Sequence, residues 1–175
     1  MKILKTDFKD LIIFKKDSFK DNRGFFRELF LKRDIDKEFI FDVMSLSKKN
    51  VIRGLHLQIK KPQGKLITVL RGKIFDVSLD CRTKSKTYGK YFSITLSEKE
   101  NTSVYIPEGF AHGFCSLSNN TIIHYKCTNY RDKKSEIGIL WNDKDLNINW
   151  PIKNPIISKK DKKNLRFSEF IKLQS

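Results

Sequence analysis

The amino-acid sequence predicts an all-β fold, a sandwich or barrel of the jelly-roll type. Short runs rich in β-branched and aromatic residues recur from residue 65 onward, with turn residues about every ten positions. No helical segments separate these runs, which argues against a parallel α/β sheet. The predicted strands carry the sequences LITVL, KIFDVSLD, YFSITLS, TSVYIP, GFAHGFCSLS and TIIHYKCTNY.

The residues on either side of this region predict more irregular elements. Residues 3–14 suggest an irregular edge strand, and the turn sequence DNRG at 21–24 precedes another strand, FFRELF. Residues 32–39 are charged and free of helix breakers, so we expect a short helix before a strand at 41–46. A further peripheral helix is expected near the C-terminus, with one apolar stripe formed by Leu165, Phe167, Phe170 and Leu173.

The central stretch at 51–65, VIRGLHLQIKKPQGK, collects the polar groups of a candidate pocket. Side chains alternate faces along a strand, so Arg53 and His56 share a face only if Gly54 introduces a bulge. The turn sequence PQG then precedes Lys65, and a hairpin would carry Lys65 back beside His56. We therefore expect a base, a fixed cation and a flexible cation in one pocket.

Length and charge limit the organisation of the chain. A chain of 175 residues is long enough for a substantial core, and we expect a single domain over residues 1–175. The formal net charge of +16 favours an anionic partner, for which nucleic acid, a membrane surface and a phosphorylated metabolite all qualify. The lysines are spread along the chain, with a dense tract only at 159–163, so most are predicted to be solvated surface charges.

Cysteine usage and the N-terminal residues indicate the compartment. Cys81, Cys115 and Cys127 lie beside strand-like sequence and form no CxxC pair, so we expect buried, reduced thiols. The first residues, MKILKTDF, contain no apolar segment followed by a cleavage site, and no apolar run approaches the roughly 20 residues of a membrane span. These features predict a cytoplasmic protein without a membrane-spanning segment.

The three histidines differ in their surroundings. His56 lies between two cations of the central stretch, and His112 lies in PEGFAHGF, where Gly113 would let another group approach closely. His124 is interpreted as a packing or surface residue. A carboxylate on Nδ1 of His56 would fix its tautomer, and Asp161 follows the β region in a segment that can fold back.

Two further polar residues stand in apolar strands. Glu28 lies among phenylalanines, where a buried carboxylate needs either an ion pair with a lysine or a ligand. Tyr125 needs a partner for its hydroxyl if it is buried, and a phenol can also deliver a proton. For both residues, structural and functional interpretations stay open.

A metal site is disfavoured by the sequence. Metal-binding jelly rolls place a second histidine two residues after the first, whereas this position is Gln58, and no acidic residue occurs between Asp42 and Asp76. Nucleophilic catalysis is also disfavoured, because no serine or cysteine occurs in a motif that pairs it with a base.

Taken together, these segments resemble the dTDP-4-dehydrorhamnose 3,5-epimerases, metal-free enzymes of deoxysugar biosynthesis with a cupin-type jelly roll. The resemblance covers about residues 10–165 and implies an all-β cupin fold (a double-stranded β-helix) with a few short peripheral helices. The matching segments, in family order, are DNRGFFRE, VIRGLHLQ, QGKL, GKIFDVSLDCR, YIPEGFAHGF, YKCTNY, SEIGILWND, INWP and ISKKD.

The resemblance implies a role for particular residues of this chain. His56 matches the general base, Tyr125 the opposing acid, Asp161 the carboxylate that orients the base, and Lys65 the cation beside the C4 oxygen. The implied substrate is a nucleotide-diphosphate sugar, with no metal or other cofactor, and the implied assembly is a homodimer that exchanges N-terminal strands. The implied substrate-binding residues are Arg53 and His112, Glu136, Lys160 and Arg131, and, reaching in from the partner subunit, Arg23 and Glu28.

The chain departs from the family pattern at three positions. A Gln-x-Asn of the family is replaced by Phe41 and Val43, and the second tyrosine of a YKxTxYY pattern is replaced by Arg131. The alternatives are therefore a 3-epimerase, or an enzyme acting on a different nucleotide or on a heptose. Other candidates are a sugar 3,4-ketoisomerase, disfavoured by Leu57 and Gln58 in place of a second histidine, and a basic module that binds nucleic acid or sugar without catalysis.

Overall fold

The computed structural model describes residues 1–174, in which two antiparallel sheets and one separate hairpin contain almost all of the regular structure. The strands are β1 (Lys2–Lys5), β2 (Ile12–Lys15), β3 (Ser18–Asp21), β4 (Gly24–Arg27), β5 (Phe41–Ser47), β6 (Ile52–Gln58), β7 (Lys65–Arg71), β8 (Lys73–Asp80), β9 (Tyr91–Ser97), β10 (Thr102–Ile106), β11 (Phe110–Ser116), β12 (Thr121–Cys127) and β13 (Glu136–Gly138). The helices are α1 (Phe167–Gln174) and two 3-10 turns, Lys32–Asp34 and Asp161–Lys163.

The strand order is that of a jelly roll. One sheet has the order β1-β2-β10-β7-β12-β5, the other has the order β13-β6-β11-β8-β9, and β3 pairs only with β4. Strands adjacent in the sheets are often distant in sequence, as in the pairing of β6 with β11. The predicted all-β jelly roll with short peripheral helices is therefore confirmed.

Three apolar clusters form the core, one between the two sheets and one on the outer face of each. Between the sheets, Ile67 and Val104 of the first sheet pack with Phe110 and Phe114 of the second. Burial of such side chains contributes about 1.5–3 kcal/mol each relative to exposure. This cluster fills one half of the space between the sheets and leaves the other half to polar side chains.

The outer faces of both sheets are partly covered by segments that lie outside the sheets. The C-terminal segment covers the five-stranded sheet with residues including Trp150, Phe167 and Phe170. The stretch between β4 and β5 covers part of the six-stranded sheet with Phe30 and Ile35. Because these covers bury the outward side chains, both strand faces of the central sheets are apolar over much of their length.

Several local predictions need correction. Residues 3–14 form the hairpin β1–β2 rather than one strand, and the predicted helix at 32–39 is reduced to the 3-10 turn Lys32–Asp34. Helix α1 forms and buries Phe167 and Phe170, but Leu173 is 60% exposed, because one side of the last turn faces solvent. Over residues 1–174, no helix is long and apolar enough to cross a membrane.

The cysteine prediction is confirmed. Cys81, Cys115 and Cys127 are all buried and carry free thiols. Burial raises the pKa of the Cys115 and Cys127 thiols to about 11, so both stay protonated near neutral pH.

Candidate active site

A cavity of about 680 Å³ lies between the two sheets and contains most of the polar residues that the sequence singled out. Its walls come from β5, β7 and β12 on one side and from β6 and β11 on the other, with the segment around Asp161 at the rim. The site residues that line it are Arg53, His56, Lys65, His112, Tyr125, Arg131, Glu136, Lys160 and Asp161.

Gly54 brings Arg53 and His56 to the same cavity, as the sequence predicted. Its φ is +111°, and a Cβ there would lie 2.6 Å from both the Gly113 Cα and the His112 carbonyl oxygen. The register between β6 and β11 shifts at this point. Only glycine allows this backbone conformation and this close approach, so the bulge depends on Gly54 and its partner Gly113.

His56 forms an imidazole–carboxylate pair with Asp161. The two side chains meet at 2.7 Å between Nε2 and Oδ1, so the expectation that Asp161 would bind Nδ1 is wrong. A parallel bridge between Val51 and Ile156 holds the returning chain beside β6. The Asp161 backbone N–H donates to Ser158 Oγ at the start of the next 3-10 turn. Since Asp161 occupies Nε2, Nδ1 is the ring nitrogen left to act on a ligand.

Asp161 is charged and well supported. Burial pushes its pKa upward, but the hydrogen bond and charge of His56 and hydrogen bonds from Gly54 N–H and Ser158 outweigh this effect. Its pKa is therefore lower than usual, and Asp161 stays a carboxylate that holds the imidazole in one orientation.

Lys65 and Tyr125 stand on the opposite wall of the cavity. In the six-stranded sheet, Lys65 is the cross-strand partner of Cys127, and Tyr125 is the partner of Ile67. The predicted hairpin that would place Lys65 beside His56 is wrong, because β6 and β7 belong to different sheets. The chain passes from one sheet to the other at this turn. Lys65 therefore lies across the cavity from the wall that carries His56 and His112, and not beside His56.

Burial affects the protonation of both residues on this wall. Burial lowers the pKa of the Lys65 ammonium, while the nearby Cys127, Glu136 and Asp76 raise it in part. Burial raises the pKa of the Tyr125 phenol, whose oxygen lies 3.1 Å from Ser45 Oγ. A phenol in this state keeps its proton until a strong base takes it.

His112 makes a second imidazole–carboxylate pair, and its partner Asp76 was missed by the sequence analysis. Nε2 of His112 lies 2.7 Å from Asp76 Oδ2, and the two residues are 5% and 1% exposed. The ring of His112 also meets the ring of Tyr125 edge to face, with 6.2 Å between centroids. The available signal was a carboxylate in the middle of the apolar strand KIFDVSLD, at an inward position.

Charged residues cross the mouth of the cavity. Arg131 donates from Nε to Glu136 Oε2 at 2.9 Å, and Lys160 also donates to Glu136. Burial alone would raise the pKa of Glu136, but these two cations lower it to about 2. Arg53 reaches from β6 to β5, where it donates to Ser47 Oγ and the Leu46 carbonyl, each at 3.1 Å.

An apolar wall replaces the polar residues of the family pattern. Phe41 and Val43 both line the cavity from β5, and the ring of Phe41 packs on Tyr130 at a centroid distance of 5.9 Å. Val43 is the cross-strand partner of Tyr125. Among the β5 residues that line the cavity, Ser45 is therefore the one whose side chain can hydrogen-bond a ligand.

Two predicted site residues lie away from the cavity. Arg23 is on the β3–β4 hairpin, where it pairs with Asp21 and is largely exposed. Glu28 is also exposed, so the expectation that it lies on a buried face is wrong, because β4 ends at Arg27 and neither strand of the hairpin pairs with the two sheets. Their roles at a partner subunit stay predictions.

His124 and Gln58 lie outside the cavity lining and interact with other parts of the protein. His124 lies on the face of β12 opposite to Tyr125, with Nε2 3.4 Å from Asp42 Oδ2, which agrees with its interpretation as a packing or surface residue. The Gln58 amide donates to the carbonyls of Lys61 and Tyr130 and so anchors two loops. In the part of the chain that the structure describes, no cluster of three His, Cys, Asp or Glu side chains is placed to hold a metal ion.

Comparison with known proteins identifies the family. The sequence profile of the dTDP-4-dehydrorhamnose 3,5-epimerases matches residues 5–169. The chain is 43% identical over 174 residues to the dTDP-4-dehydrorhamnose 3,5-epimerase of Shigella flexneri, covering 95% of this chain and 96% of the relative.

Two solved structures agree with this result. One is the dTDP-4-dehydrorhamnose 3,5-epimerase of Bacillus anthracis with TDP and pyrophosphate bound (39% identity, TM-score 0.91, 94% of this chain and 98% of that one). The other is the dTDP-6-deoxy-D-glucose-3,5-epimerase of Legionella pneumophila in complex with dTDP-4-keto-L-rhamnose (38% identity, TM-score 0.91, 95% and 93%). The chain belongs to the dTDP-4-dehydrorhamnose 3,5-epimerase family of nucleotide-sugar epimerases.

Proposed function

We propose that this protein inverts C3 and C5 of a dTDP-4-keto-6-deoxyhexose through enolate intermediates. The observation that carries the proposal is the pairing of His56 with Asp161 on one wall of a cavity that has Lys65 and Tyr125 on the other. A sugar ring bound between the walls has a base on one face and a proton donor on the other.

In the first step, His56 removes the proton from C3, the carbon beside the C4 ketone. The electron pair of the C–H bond moves into the C3–C4 bond, and the carbonyl electrons move to the C4 oxygen. Lys65 stabilises the negative charge where it develops, an effect that supplies about 3–4 kcal/mol in comparable sites. Asp161 stabilises the imidazolium that results and keeps its ring in place.

In the second step, Tyr125 returns a proton to the opposite face of the same carbon. The carbonyl reforms and the configuration at C3 is inverted. Before the next inversion, the His56 imidazolium releases its proton to solvent and the Tyr125 phenolate takes one up, so both groups return to their starting states. An enolate carbon is basic enough to take a proton from a phenol whose pKa is raised by burial. The same two steps at C5 complete the reaction, which is neutral in electrons and consumes no cofactor.

The cations at the mouth suit the diphosphate of the substrate. Arg53, Arg131 and Lys160 line the cavity, and arginine and lysine side chains bind phosphate oxygens by charge-assisted hydrogen bonds. We assign Arg53 and His112 to the sugar and diphosphate, and Glu136, Lys160 and Arg131 to the mouth. The similarity to relatives solved with TDP or dTDP-4-keto-L-rhamnose supports a dTDP-linked substrate.

We further propose a homodimer in which the β3–β4 hairpin of one subunit reaches the cavity of the other. The hairpin carries Phe19, Phe25 and Phe26, which are 63%, 58% and 68% exposed. Exposed aromatic clusters of this kind mark interaction sites. Arg23 and Glu28 would then contact the nucleotide from the partner subunit. A cytoplasmic location also stays a prediction.

The test is proton NMR of dTDP-4-keto-6-deoxyglucose in D₂O with the protein. Loss of the H3 and H5 signals by exchange, with formation of the inverted product, is expected. Exchange at C3 alone would identify a 3-epimerase, and migration of the carbonyl to C3 would identify a 3,4-ketoisomerase. A protein that binds the sugar and exchanges neither proton would refute catalysis, and a GDP- or UDP-linked 4-keto sugar provides the nucleotide control.

A further inference from the structure

Lysines that are distant in the sequence come together at the mouth of the cavity. They lie in three segments, IKKPQ at 59–63, RDKKSE at 131–136 and KKDKK at 159–163, which we call the basic rim. Each segment contains at least one residue that lines the cavity. All eight lysines of the rim are exposed. The even spread of lysines along the sequence therefore does not persist in the folded protein.

Contacts between the segments hold the rim together. The Ile59 backbone N–H donates to the Ser135 carbonyl at 3.1 Å, which joins the first segment to the second. The Lys160 ammonium donates to the Glu136 carboxylate, which joins the third segment to the second. The three groups of lysines thus have fixed positions around one opening, although their side chains extend into solvent.

The rim has an excess of positive charge. It contains three carboxylates against eight lysines and one arginine. Glu136 pairs with Arg131 and Lys160, and Asp161 pairs with His56. Among residues 1–174, the other seven lysines of the rim form no ion pair, so their charge is available to an anion that approaches from solvent.

Exposed charges of one sign act on a ligand before it makes contact. At the opening of a cleft they produce a potential that raises the association rate of an oppositely charged ligand about 10- to 10³-fold. The range of this potential is about 30 Å at 0.01 M salt and about 8 Å at physiological ionic strength. The diphosphate group of the proposed substrate is negatively charged, so it has the chemistry that such a rim attracts.

We infer that the basic rim is a capture surface that draws the diphosphate of the nucleotide sugar toward the cavity. The inference rests on the proposed function for the identity of the anion. The outer lysines act during the approach, whereas Arg131 and Lys160 line the cavity in which the ligand comes to rest. Charges at a rim change association rates and their salt dependence more than dissociation rates.

The first test is the salt dependence of association, measured by stopped-flow fluorescence with dTDP that carries a methylanthraniloyl label. For the wild-type protein, the association rate constant is expected to fall about tenfold or more between 0.01 M and 0.5 M NaCl, because salt screens the rim. The dissociation rate constant should change less than about twofold over the same range. An association rate that does not depend on salt would overturn the inference.

The second test reverses one lysine in each segment of the rim. In the variant Lys60→Glu/Lys133→Glu/Lys162→Glu, the association rate constant at 0.01 M NaCl is expected to fall about tenfold, and its salt dependence should become weaker. The residues of the rim that pair with Glu136 are unchanged in this variant. An association rate equal to that of the wild-type protein would show that these lysines are solvated surface charges without a role in capture.

The matched control makes the same change in net charge far from the mouth. Lys2, Lys5 and Lys15 are exposed on β1 and β2, at the edge of the six-stranded sheet opposite to β5 and outside the cavity lining. Reversal of these three lysines to glutamate should change the association rate constant less than about twofold, because their distance from the mouth exceeds the screening length in most of the salt range. Equal losses in the two variants would assign the effect to net charge and would overturn the role of the rim.

Further measurements separate the possible failures. Circular dichroism checks the fold of each variant, and if a triple reversal does not fold, the same lysines are changed to glutamine, which halves the change in charge. Deuterium exchange at C3 and C5 is followed on the same wild-type samples. Salt-dependent capture without exchange would refute the proposed catalysis alone, and exchange with salt-independent capture would refute the rim alone. A protein that does not bind the labelled nucleotide would overturn both.

Discussion

Tyr125 combines properties that a proton donor of this kind requires. Its hydroxyl is held by Ser45, its ring packs against His112, and burial raises its pKa. His56 has matching properties on the other wall, since Asp161 holds its ring while the side chain remains 27% exposed. Each residue is therefore held in orientation by a hydrogen-bonded neighbour, Ser45 for Tyr125 and Asp161 for His56.

Replacing either residue should remove catalysis and preserve binding. For His56→Ala and for Tyr125→Phe, we expect kcat to fall about 10²- to 10⁴-fold, because one proton transfer loses its partner. The measurement is the rate of deuterium incorporation at C3 and C5, with Kd for dTDP from calorimetry. His124→Ala is the matched control on the outer face of β12, and unchanged rates in both variants would contradict the assigned roles.

The acidic limb of the stability curve should depend on Glu136. Its folded-state pKa is about 2 against an ordinary value of 4.5, so its stabilising contribution is complete above about pH 4.5 and disappears as the pH falls toward 2. Arg131 and Lys160 are more than half exposed, so screening reduces the contribution to the order of 1 kcal/mol.

The corresponding variant is Glu136→Gln. Thermal unfolding between about pH 6 and pH 2.5 should show a smaller difference from the wild-type protein as the pH falls. Asp132→Asn provides a comparison in the same loop region, because the hydrogen bond from Ser135 also lowers the pKa of Asp132, but neither Arg131 nor Lys160 contributes and the residue lies outside the cavity lining. A constant difference at every pH would show that Glu136 acts through packing alone.

The sequence alone identified cavity residues whose chemistry differs from that of their neighbours. It did not identify residues whose importance depends on being buried in the folded protein. His56, Lys65 and Tyr125 stand out as polar groups in apolar strands. Asp161 was identified as a carboxylate in a segment that can fold back, and the family resemblance supported this choice. Asp76 gave only a weak signal, because one carboxylate in a strand is compatible with a solvated face. The nitrogen of His56 that meets Asp161 depends on the path of the returning chain, which no local pattern encodes.

At the scale of elements, the bulge in β6 brings Arg53 and His56 to the cavity wall that β6 forms with β11. Arg53 and His56 reach one cavity because Gly54 adopts φ +111° against Gly113 of β11. The glycine in a strand predicted this bulge correctly. The turn before Lys65 was interpreted wrongly as a hairpin, because a turn sequence fixes a change of direction but does not select which sheet the next strand joins.

Gly54→Ala should therefore disrupt the bulge. A Cβ at this position would lie 2.6 Å from backbone atoms of β11, and the positive φ adds strain, so we expect a loss of about 3 kcal/mol or more in the free energy of unfolding. Gly24→Ala is the control for the backbone term alone, since Gly24 has φ +134° and a Cβ there would meet nothing within 4 Å. Its cost should be about 1–2 kcal/mol, measured by urea unfolding, and equal costs would contradict the packing argument.

At the scale of the whole molecule, the distribution of polar and apolar side chains between the sheets defines the site. Apolar residues such as Phe110 and Ile67 fill one half, and the other half carries His56, His112, Lys65 and Tyr125. Strand periodicity predicted the architecture well, because inward and outward positions alternate in any sandwich. It could not predict which half remains open, since this depends on pairings between distant strands.

The exposed β3–β4 hairpin leads to a prediction about assembly. Phe25 and Phe26 are large, exposed and close to Arg23 and Glu28 in the chain, and burying them against a second subunit would contribute about 1.5–3 kcal/mol each. In the proposed homodimer, this burial delivers the two charged side chains to the partner's cavity. Assembly and catalysis should then be lost together.

The double variant Phe25→Asp/Phe26→Asp tests this coupling. Light scattering is expected to show a monomer, and KM for the dTDP sugar should rise at least about tenfold, because contacts from the partner subunit are missing. Leu173→Asp places a carboxylate on another exposed apolar residue, on α1, and should leave both measurements unchanged. A variant that remains dimeric with unchanged KM would show that the hairpin serves neither assembly nor substrate binding. A monomer with unchanged KM would separate the two and place all nucleotide contacts within one chain.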